Sequence, residues 1–118
     1  MMKDIRKVLC VANAYEKKYY FNEEFAGLPE SIKAELHVIC VLFTEDVGGI
    51  FTIVFEEDGD VSMVTDAAPE DALYDEISSG LLVKEIRDKR QELFESLSLY
   101  YKIFILKEEP AGLLGEEE

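Results

Sequence analysis

The stretch from Pro29 to Val47 carries apolar side chains at steps of three and four residues, the spacing of one face of an α-helix. This face is formed by Ile32, Leu36, Ile39, Phe43 and Val47. Proline is favoured in a first helical turn, and the Gly48-Gly49 pair can adopt the left-handed conformation that ends a helix. The pattern predicts a helix from Pro29 to Val47. Because apolar residues also occupy its other sides, we expect a central helix that is buried from more than one direction.

Residues 37 to 43 allow a second interpretation, since β-branched residues are frequent there and a buried strand has the same apolar content. Beyond the glycines the pattern predicts a β-hairpin, in which a strand from Ile50 to Phe55 pairs antiparallel with a strand from Val61 to Thr65. The Asp58-Gly59 pair between these strands supplies the positive φ that a tight turn requires.

Three further segments predict regular structure outside this central region. Residues 5 to 13 hold a short apolar run that suits either a first strand or a helical turn. Residues 69 to 79 predict a short helix that ends near Gly80, and a long helix with one apolar side begins near Leu82. Residues 100 to 106 are rich in aromatic and β-branched types and allow a final strand.

Together these elements predict an α+β fold in one small domain that spans residues 1 to 108. We expect an antiparallel sheet, containing the β-hairpin, to pack against the buried central helix and the long C-terminal helix. Residues 109 to 118 contain Pro110, two glycines and a run of acids, and they predict a flexible acidic tail.

The formal net charge of −14 is concentrated in the middle of the chain. Between Ala34 and Val83 there are twelve acids and no lysine or arginine. Such a segment repels phosphate, so we expect no direct nucleic-acid binding. No apolar run is long enough for a membrane span or a signal peptide, and we expect a cytoplasmic protein without a membrane role. Cys10 and Cys40 lie in apolar contexts and predict reduced core thiols.

Candidate chemistry is sparse. His37 is the only histidine, and a helical step of three residues would place Cys40 beside it. A structural zinc site requires about four ligands and only Cys10 remains to join the pair, so the pair predicts core packing. The aspartates of the hairpin region lack the residue order of an EF-hand loop. They are Asp58, Asp60 and Asp66. We therefore expect no catalytic, cofactor-binding or metal-binding residues, and no cofactor.

The run from VLCVANAYEKKYYFNEEFAGLPESIK through ELHVICVLFTEDVGGIFTIVFEEDGDV resembles a small family of uncharacterised bacterial domains, mainly from anaerobic Firmicutes. The resemblance covers most of the chain. It implies a bacterial origin and a family of unknown function, and no catalytic residues can be carried over from it.

The leading hypothesis is a non-enzymatic protein-interaction module, of adaptor or chaperone type, whose acids bind a basic or amphipathic protein segment. Homo-oligomers are a second form of association that this hypothesis allows. The acids predicted to form the partner surface are Glu56, Glu57, Asp58, Asp60, Asp66, Glu70, Asp71, Asp75 and Glu76. One alternative is an enzyme or small-ligand binder with a site near Tyr15, Tyr19, His37 and Cys40. The other alternative is an acidic inhibitor that mimics nucleic acid.

Overall fold

A four-stranded antiparallel sheet forms the centre of the protein, in a computed structural model that describes residues 6–107. The chain begins with two strands and a short 3₁₀ helix at Glu23–Phe25. A helix, two strands and two final helices follow. In chain order they are β1 (Lys7–Asn13), β2 (Lys18–Phe21), α1 (Glu30–Asp46), β3 (Ile50–Phe55), β4 (Val61–Asp66), α2 (Glu76–Lys89) and α3 (Gln91–Phe104). This confirms the α+β fold.

The strands lie in the order β2-β1-β3-β4, and each neighbouring pair is antiparallel. Residues paired across adjacent strands point to the same side of a sheet, so Ala12 shares a face with Tyr19 and Phe51. We call this face of the sheet the covered face. Its other members are Cys10, Phe21, Ile53, Phe55, Val61, Met63 and Thr65.

Helices α1 and α3 pack on the covered face through aromatic contacts. Phe43 of α1 stacks on Phe51 with ring centroids 4.3 Å apart, and Tyr101 of α3 stacks on Phe55 at 4.5 Å. Phe25 closes the gap between them, with its ring 5.1 Å from that of Phe55. Each fully buried phenylalanine contributes about 1.5–3 kcal/mol through removal of its surface from water. These rings form the centre of the hydrophobic core.

Strand β1 contains a β-bulge. Its pairing with β3 shifts between Val8 and Cys10, which leaves Leu9 as an extra residue. Leu9 and Cys10 are both fully buried, an arrangement that strict alternation would not permit. The bulge explains why the apolar run at residues 5 to 13 suited either a strand or a helical turn.

Helix α1 confirms the prediction for Pro29 to Val47, and the alternative strand over residues 37 to 43 was wrong. The Val47 N–H donates to the Phe43 carbonyl, and Gly48 and Gly49 follow with φ of 89° and 74°. The expected burial from several directions was wrong. Val38 is 50% exposed and Leu42 is 59% exposed, because the sheet covers only one side of the helix.

The predicted hairpin is confirmed, since β3 pairs antiparallel with β4. Gly59 has a φ of 98°, and its N–H donates to the Glu56 carbonyl at 2.9 Å. The Glu56 N–H then donates to the Asp60 carbonyl at 2.7 Å, which closes the turn. Asp58 has no positive φ, so the glycine alone supplies the left-handed conformation.

The C-terminal half differs from the prediction in three places. The short helix at residues 69 to 79 was wrong, since turns occupy residues 69–75 and α2 begins at Glu76. The single long helix is divided at Arg90, whose φ of −115° and ψ of 30° are not helical. The final strand at residues 100 to 106 was also wrong. Residues 100–104 instead complete α3, whose helical spacing carries Tyr101 onto Phe55.

A side-chain hydrogen bond connects the junction at Arg90 to another helix. The Arg90 Nη1 atom donates to the Glu35 Oε2 atom at 2.6 Å, which ties the junction of α2 and α3 to helix α1. From this point α3 turns back across the covered face of the sheet, and Leu93, Phe94, Leu97 and Tyr101 are buried. The acidic tail predicted for residues 109 to 118 lies outside the described residues. Within residues 6–107, no helix combines the length and the apolar character needed to cross a membrane.

We expect Gly49→Ala to destabilise the fold more than Gly48→Ala, by about 2 kcal/mol. Both glycines have positive φ, so alanine is strained at either position. A methyl group at Gly49 would lie 2.6 Å from the Asp66 carbonyl oxygen and 2.6 Å from the Tyr74 ring, whereas nothing lies within 4 Å at Gly48. Urea unfolding of both variants measures the difference. Equal losses of stability would show that the contact with Tyr74 is not fixed in solution.

Candidate protein-interaction site

The nine acids predicted as a partner surface lie in two groups at the two ends of strand β4. Five residues of β4 separate the groups, a distance of about 17 Å. The turn acids lie between β3 and β4, and they are Glu56, Glu57, Asp58 and Asp60. The loop acids lie at the end of β4 and the start of α2, and they are Asp66, Glu70, Asp71, Asp75 and Glu76. The nine carboxylates therefore lie in two groups, one at each end of the edge strand β4.

The turn acids border a cleft of mixed charge. Glu56 and Asp60 line this cleft of about 940 Å³ between β4 and the two C-terminal helices, and Arg87 and Lys102 line it as well. Arg87 donates from Nη2 to the Val61 carbonyl at 3.2 Å, which fixes its guanidinium beside the acids. The carboxylates at this end of β4 are therefore partly balanced by nearby cations.

The loop acids lie on a segment that Tyr15 holds in place. The Tyr15 hydroxyl donates to Asp71 Oδ2 at 2.5 Å and accepts from the Ala68 N–H at 3.0 Å. The hydrogen bond to Asp71 raises the pKa of Tyr15 above its usual value. Asp71 also accepts the Leu73 N–H through Oδ1 at 3.1 Å. Tyr15, expected as part of a ligand site, instead ties the loop after β4 to the turn between β1 and β2.

Two further contacts fix the start of helix α2. Asp75 caps the helix by accepting the N–H groups of Ile77 and Ser78 through Oδ1 and the Ser78 hydroxyl through Oδ2. These bonds, led by that from the Ser78 hydroxyl, lower the pKa of Asp75. The Tyr74 hydroxyl donates to Ser79 Oγ at 2.7 Å. Asp71 and Asp75 thus have structural roles in the loop, and Glu70 and Glu76 are exposed beside them.

Exposed apolar side chains lie next to the loop acids. Leu73 is 94% exposed just ahead of α2, Ile77 is 76% exposed and Leu81 is 65% exposed. Ile77 and Leu81 are four residues apart and share one face of α2. We call Leu73, Ile77 and Leu81 the apolar stripe. Large exposed apolar side chains that lie together, bordered by polar groups, are typical of a protein-interaction site.

The sequence contained the signal for the apolar stripe, since its three residues recur at steps of four. That spacing normally marks a helix face turned toward the core. Leu82, Val83 and Ile86 take the core-facing role on α2 instead. The sequence does not indicate which of these two apolar sides is buried. The exposure of the apolar stripe was therefore not predicted.

Three of the four residues of the alternative ligand site do lie together. The Tyr19 ring stacks on the His37 ring with centroids 4.2 Å apart, and the Cys10 and Cys40 Sγ atoms lie 3.6 Å apart in the core. Both thiols are free and buried. The contact with Cys10, together with burial, raises the pKa of the Cys40 thiol, and burial raises the pKa of Tyr19.

These pKa shifts limit the chemistry of this cluster. A thiol is nucleophilic as the thiolate, and Cys40 keeps its proton at neutral pH. His37 stacks on Tyr19, and no hydrogen bond joins it to Cys40 within the described residues. In the same part of the chain, no group of three or more His, Cys, Asp or Glu side chains could hold a metal ion. Cys10 and Cys40 are packed in the core, whereas His37 is exposed and Tyr19 is half-buried at its edge.

The fold and the exposed acidic and apolar surface define a small α+β domain with a candidate protein-binding face. Residues 6–109 match the model of a family of unknown function, DUF6145, and the chain belongs to this family. No curated protein and no solved structure matches the chain. The match confirms the expected membership in a domain family of unknown function.

We expect the free energy of unfolding to fall as the pH rises above about 8.5, the usual pKa of a cysteine thiol. The folded state keeps the Cys40 proton in this range because its pKa is raised, whereas the unfolded state releases it. Stability should therefore decrease by about 1.4 kcal/mol per pH unit. Urea unfolding at a series of pH values measures the slope. The Cys40→Ala variant is the control, since it is less stable throughout but lacks this contribution. Equal slopes in the two proteins would contradict the pKa shift.

Proposed function

We propose that the protein is a non-enzymatic interaction module, of adaptor or chaperone type, that binds a basic amphipathic segment of another protein. The observation that carries this proposal is the exposure of Leu73, Ile77 and Leu81 beside the loop acids. The partner's apolar side would cover the stripe, and its cations would lie against Glu70 and Glu76. We expect the protein to act in the cytoplasm, on protein partners that include copies of itself.

Magnitudes assign different roles to the apolar stripe and the acids. Full burial of one leucine or isoleucine side chain is worth about 1.5–3 kcal/mol, whereas an exposed ion pair contributes about 0–1 kcal/mol. The stripe is therefore the main source of affinity. The loop acids supply orientation and faster association with a basic partner, since complementary charge acts mainly on specificity and on the association rate.

The rigidity of the loop supports this proposal. Tyr15 and Tyr74 hold the segment that presents Leu73, so the leucine is exposed on an ordered backbone and not on a loose end. A preformed surface loses less conformational entropy on binding than a flexible one. The division of the acids into two groups about 17 Å apart weighs against mimicry of nucleic acid, whose phosphates form a continuous row.

We expect the triple substitution of Leu73, Ile77 and Leu81 by serine to weaken binding of a designed Leu/Lys peptide, with leucines at helical spacing, at least about tenfold. The reason is the loss of apolar surface that the peptide would bury. Since all three side chains are exposed, the melting temperature should change little. Fluorescence anisotropy with the labelled peptide gives the dissociation constant.

The matched control for the stripe is Val38→Ser with Leu42→Ser, which removes exposed apolar residues from helix α1. This variant should bind the peptide as the unmodified protein does, and a scrambled peptide should bind neither protein tightly. Equal binding by the stripe variant and the control would overturn the proposed site.

We expect Glu70→Lys with Glu76→Lys to weaken peptide binding about tenfold at 0.1 M salt, because it reverses two charges beside the stripe. Glu57→Lys with Asp60→Lys changes the net charge by the same amount at the other end of β4. That control should have a much smaller effect, since about 17 Å exceeds the screening length of about 10 Å at 0.1 M salt. If both variants lose the same affinity at this ionic strength, net charge and not a local site governs binding.

A further inference from the structure

The sheet has a second face, opposite the covered face, which we call the open face. Helices α1 and α3 make their aromatic contacts on the covered face, and α2 packs against α3. On the open face Val8 and Tyr20 are exposed, Val11 and Val64 are half-buried, and Val54 is buried. An exposed sheet face that carries several apolar side chains is typical of a surface that binds a partner.

Charge on the open face is confined to its two edges. The strand pairing places Lys18, Asn13, Ile50 and Asp66 in one row across the four strands. Lys18 lies on the edge strand β2, and Asp66 lies on the opposite edge strand β4. The next row contains Tyr20, Val11, Thr52 and Val64 and has no charge.

We propose that the open face is the interface of a symmetric dimer of this chain. In this dimer two open faces are in contact. They are related by a two-fold axis that runs parallel to the strands and passes between β1 and β3. This rotation keeps each position along the strands and reverses the strand order, so β2 of one copy lies over β4 of the other. Lys18 then faces Asp66 of the partner subunit, and this ion pair occurs twice.

The same rotation sets the other pairs across the interface. Tyr20 faces Val64 of the partner subunit, and Val8 faces Val54 of the partner subunit. Each edge charge meets its opposite, whereas Asn13 faces Ile50 of the partner subunit and Val11 faces Thr52 of the partner subunit. A two-fold interface requires this kind of self-complementarity. A different acidic or basic partner would leave one of the two edge charges beside a like charge, so a second copy fits the face best.

The dimensions of the sheet set the expected strength of the dimer. Four strands about 4.8 Å apart, each about six residues long, give a flat area of about 400 Å² per copy. A standard interface buries about 800 Å² per partner, so we expect a weak dimer that dissociates at micromolar concentration. This inference does not depend on the apolar stripe, whose three residues are not part of the sheet.

The test exchanges the two edge charges and measures self-association by sedimentation equilibrium over a concentration series. Lys18→Asp and Asp66→Lys should each raise the dimer dissociation constant at least about tenfold, because each places like charges opposite each other twice. The protein that carries both substitutions should dimerise like the unmodified protein, since the pairs are restored in reverse. Both side chains are exposed, so all three variants should fold.

A mixture of the two single variants provides the sharpest outcome. Each variant alone should be monomeric, and an equimolar mixture should form a heterodimer in which both edge pairs have opposite charge. Val11→Lys, in the centre of the open face, should abolish both the homodimer and the heterodimer. Its melting temperature at low concentration checks that the monomer remains folded.

Three results would overturn the proposal. The first is an unmodified protein that stays monomeric at high concentration. The second is a dimer that the single substitutions leave unchanged. The third is a pair of monomeric single variants that do not associate when mixed. Peptide binding is measured on the apolar stripe, and self-association is measured on the open face. Absence of a dimer would therefore leave the proposed interaction function intact, and absence of peptide binding would leave the proposed dimer intact.

Discussion

Aromatic stacking between the helices and one face of the sheet is the interaction on which the rest of the structure depends. Phe43 on Phe51 and Tyr101 on Phe55 fix helices α1 and α3 against the central strands. Because both helices pack on the same face, the other face of the sheet is left without helical cover in the described part of the chain. The packing of both helices on the covered face therefore forms the hydrophobic core and leaves the open face exposed.

The exposed surfaces differ in the contacts that keep their backbone in place. The open face is part of the sheet, and its side chains are fixed by strand pairing. The apolar stripe depends on a loop that Tyr15 and Tyr74 fasten to neighbouring elements. Asp71 and Asp75 accept hydrogen bonds that hold this loop, and their carboxylates also add negative charge to the surface. Abundant acids in the sequence thus have at least two different roles.

The cluster of Tyr19, His37, Cys10 and Cys40 shows that the proximity of side chains and their reactivity are separate properties. The fold brings these residues together around the packing of α1 on β1. The contact with Cys10 and burial in the core both keep Cys40 protonated, so this thiol is a poor nucleophile. A reactive cysteine needs partial exposure or nearby positive charge, and a hydrophobic core offers neither.

The sequence by itself determined helix α1, the β3–β4 hairpin and the α+β class, because each rests on local signals. Pro29, the Gly48-Gly49 pair and Gly59 act on their own segments through backbone conformation, which needs no distant contact. Only the tertiary structure decided where the C-terminal helices divide, how the loop before α2 runs, and which apolar side of α2 faces water. These features depend on pairs far apart in the chain, such as Glu35 with Arg90 and Tyr15 with Asp71. A linear pattern records which residues are apolar or charged, but the partner of each one is set by the packing of the whole chain.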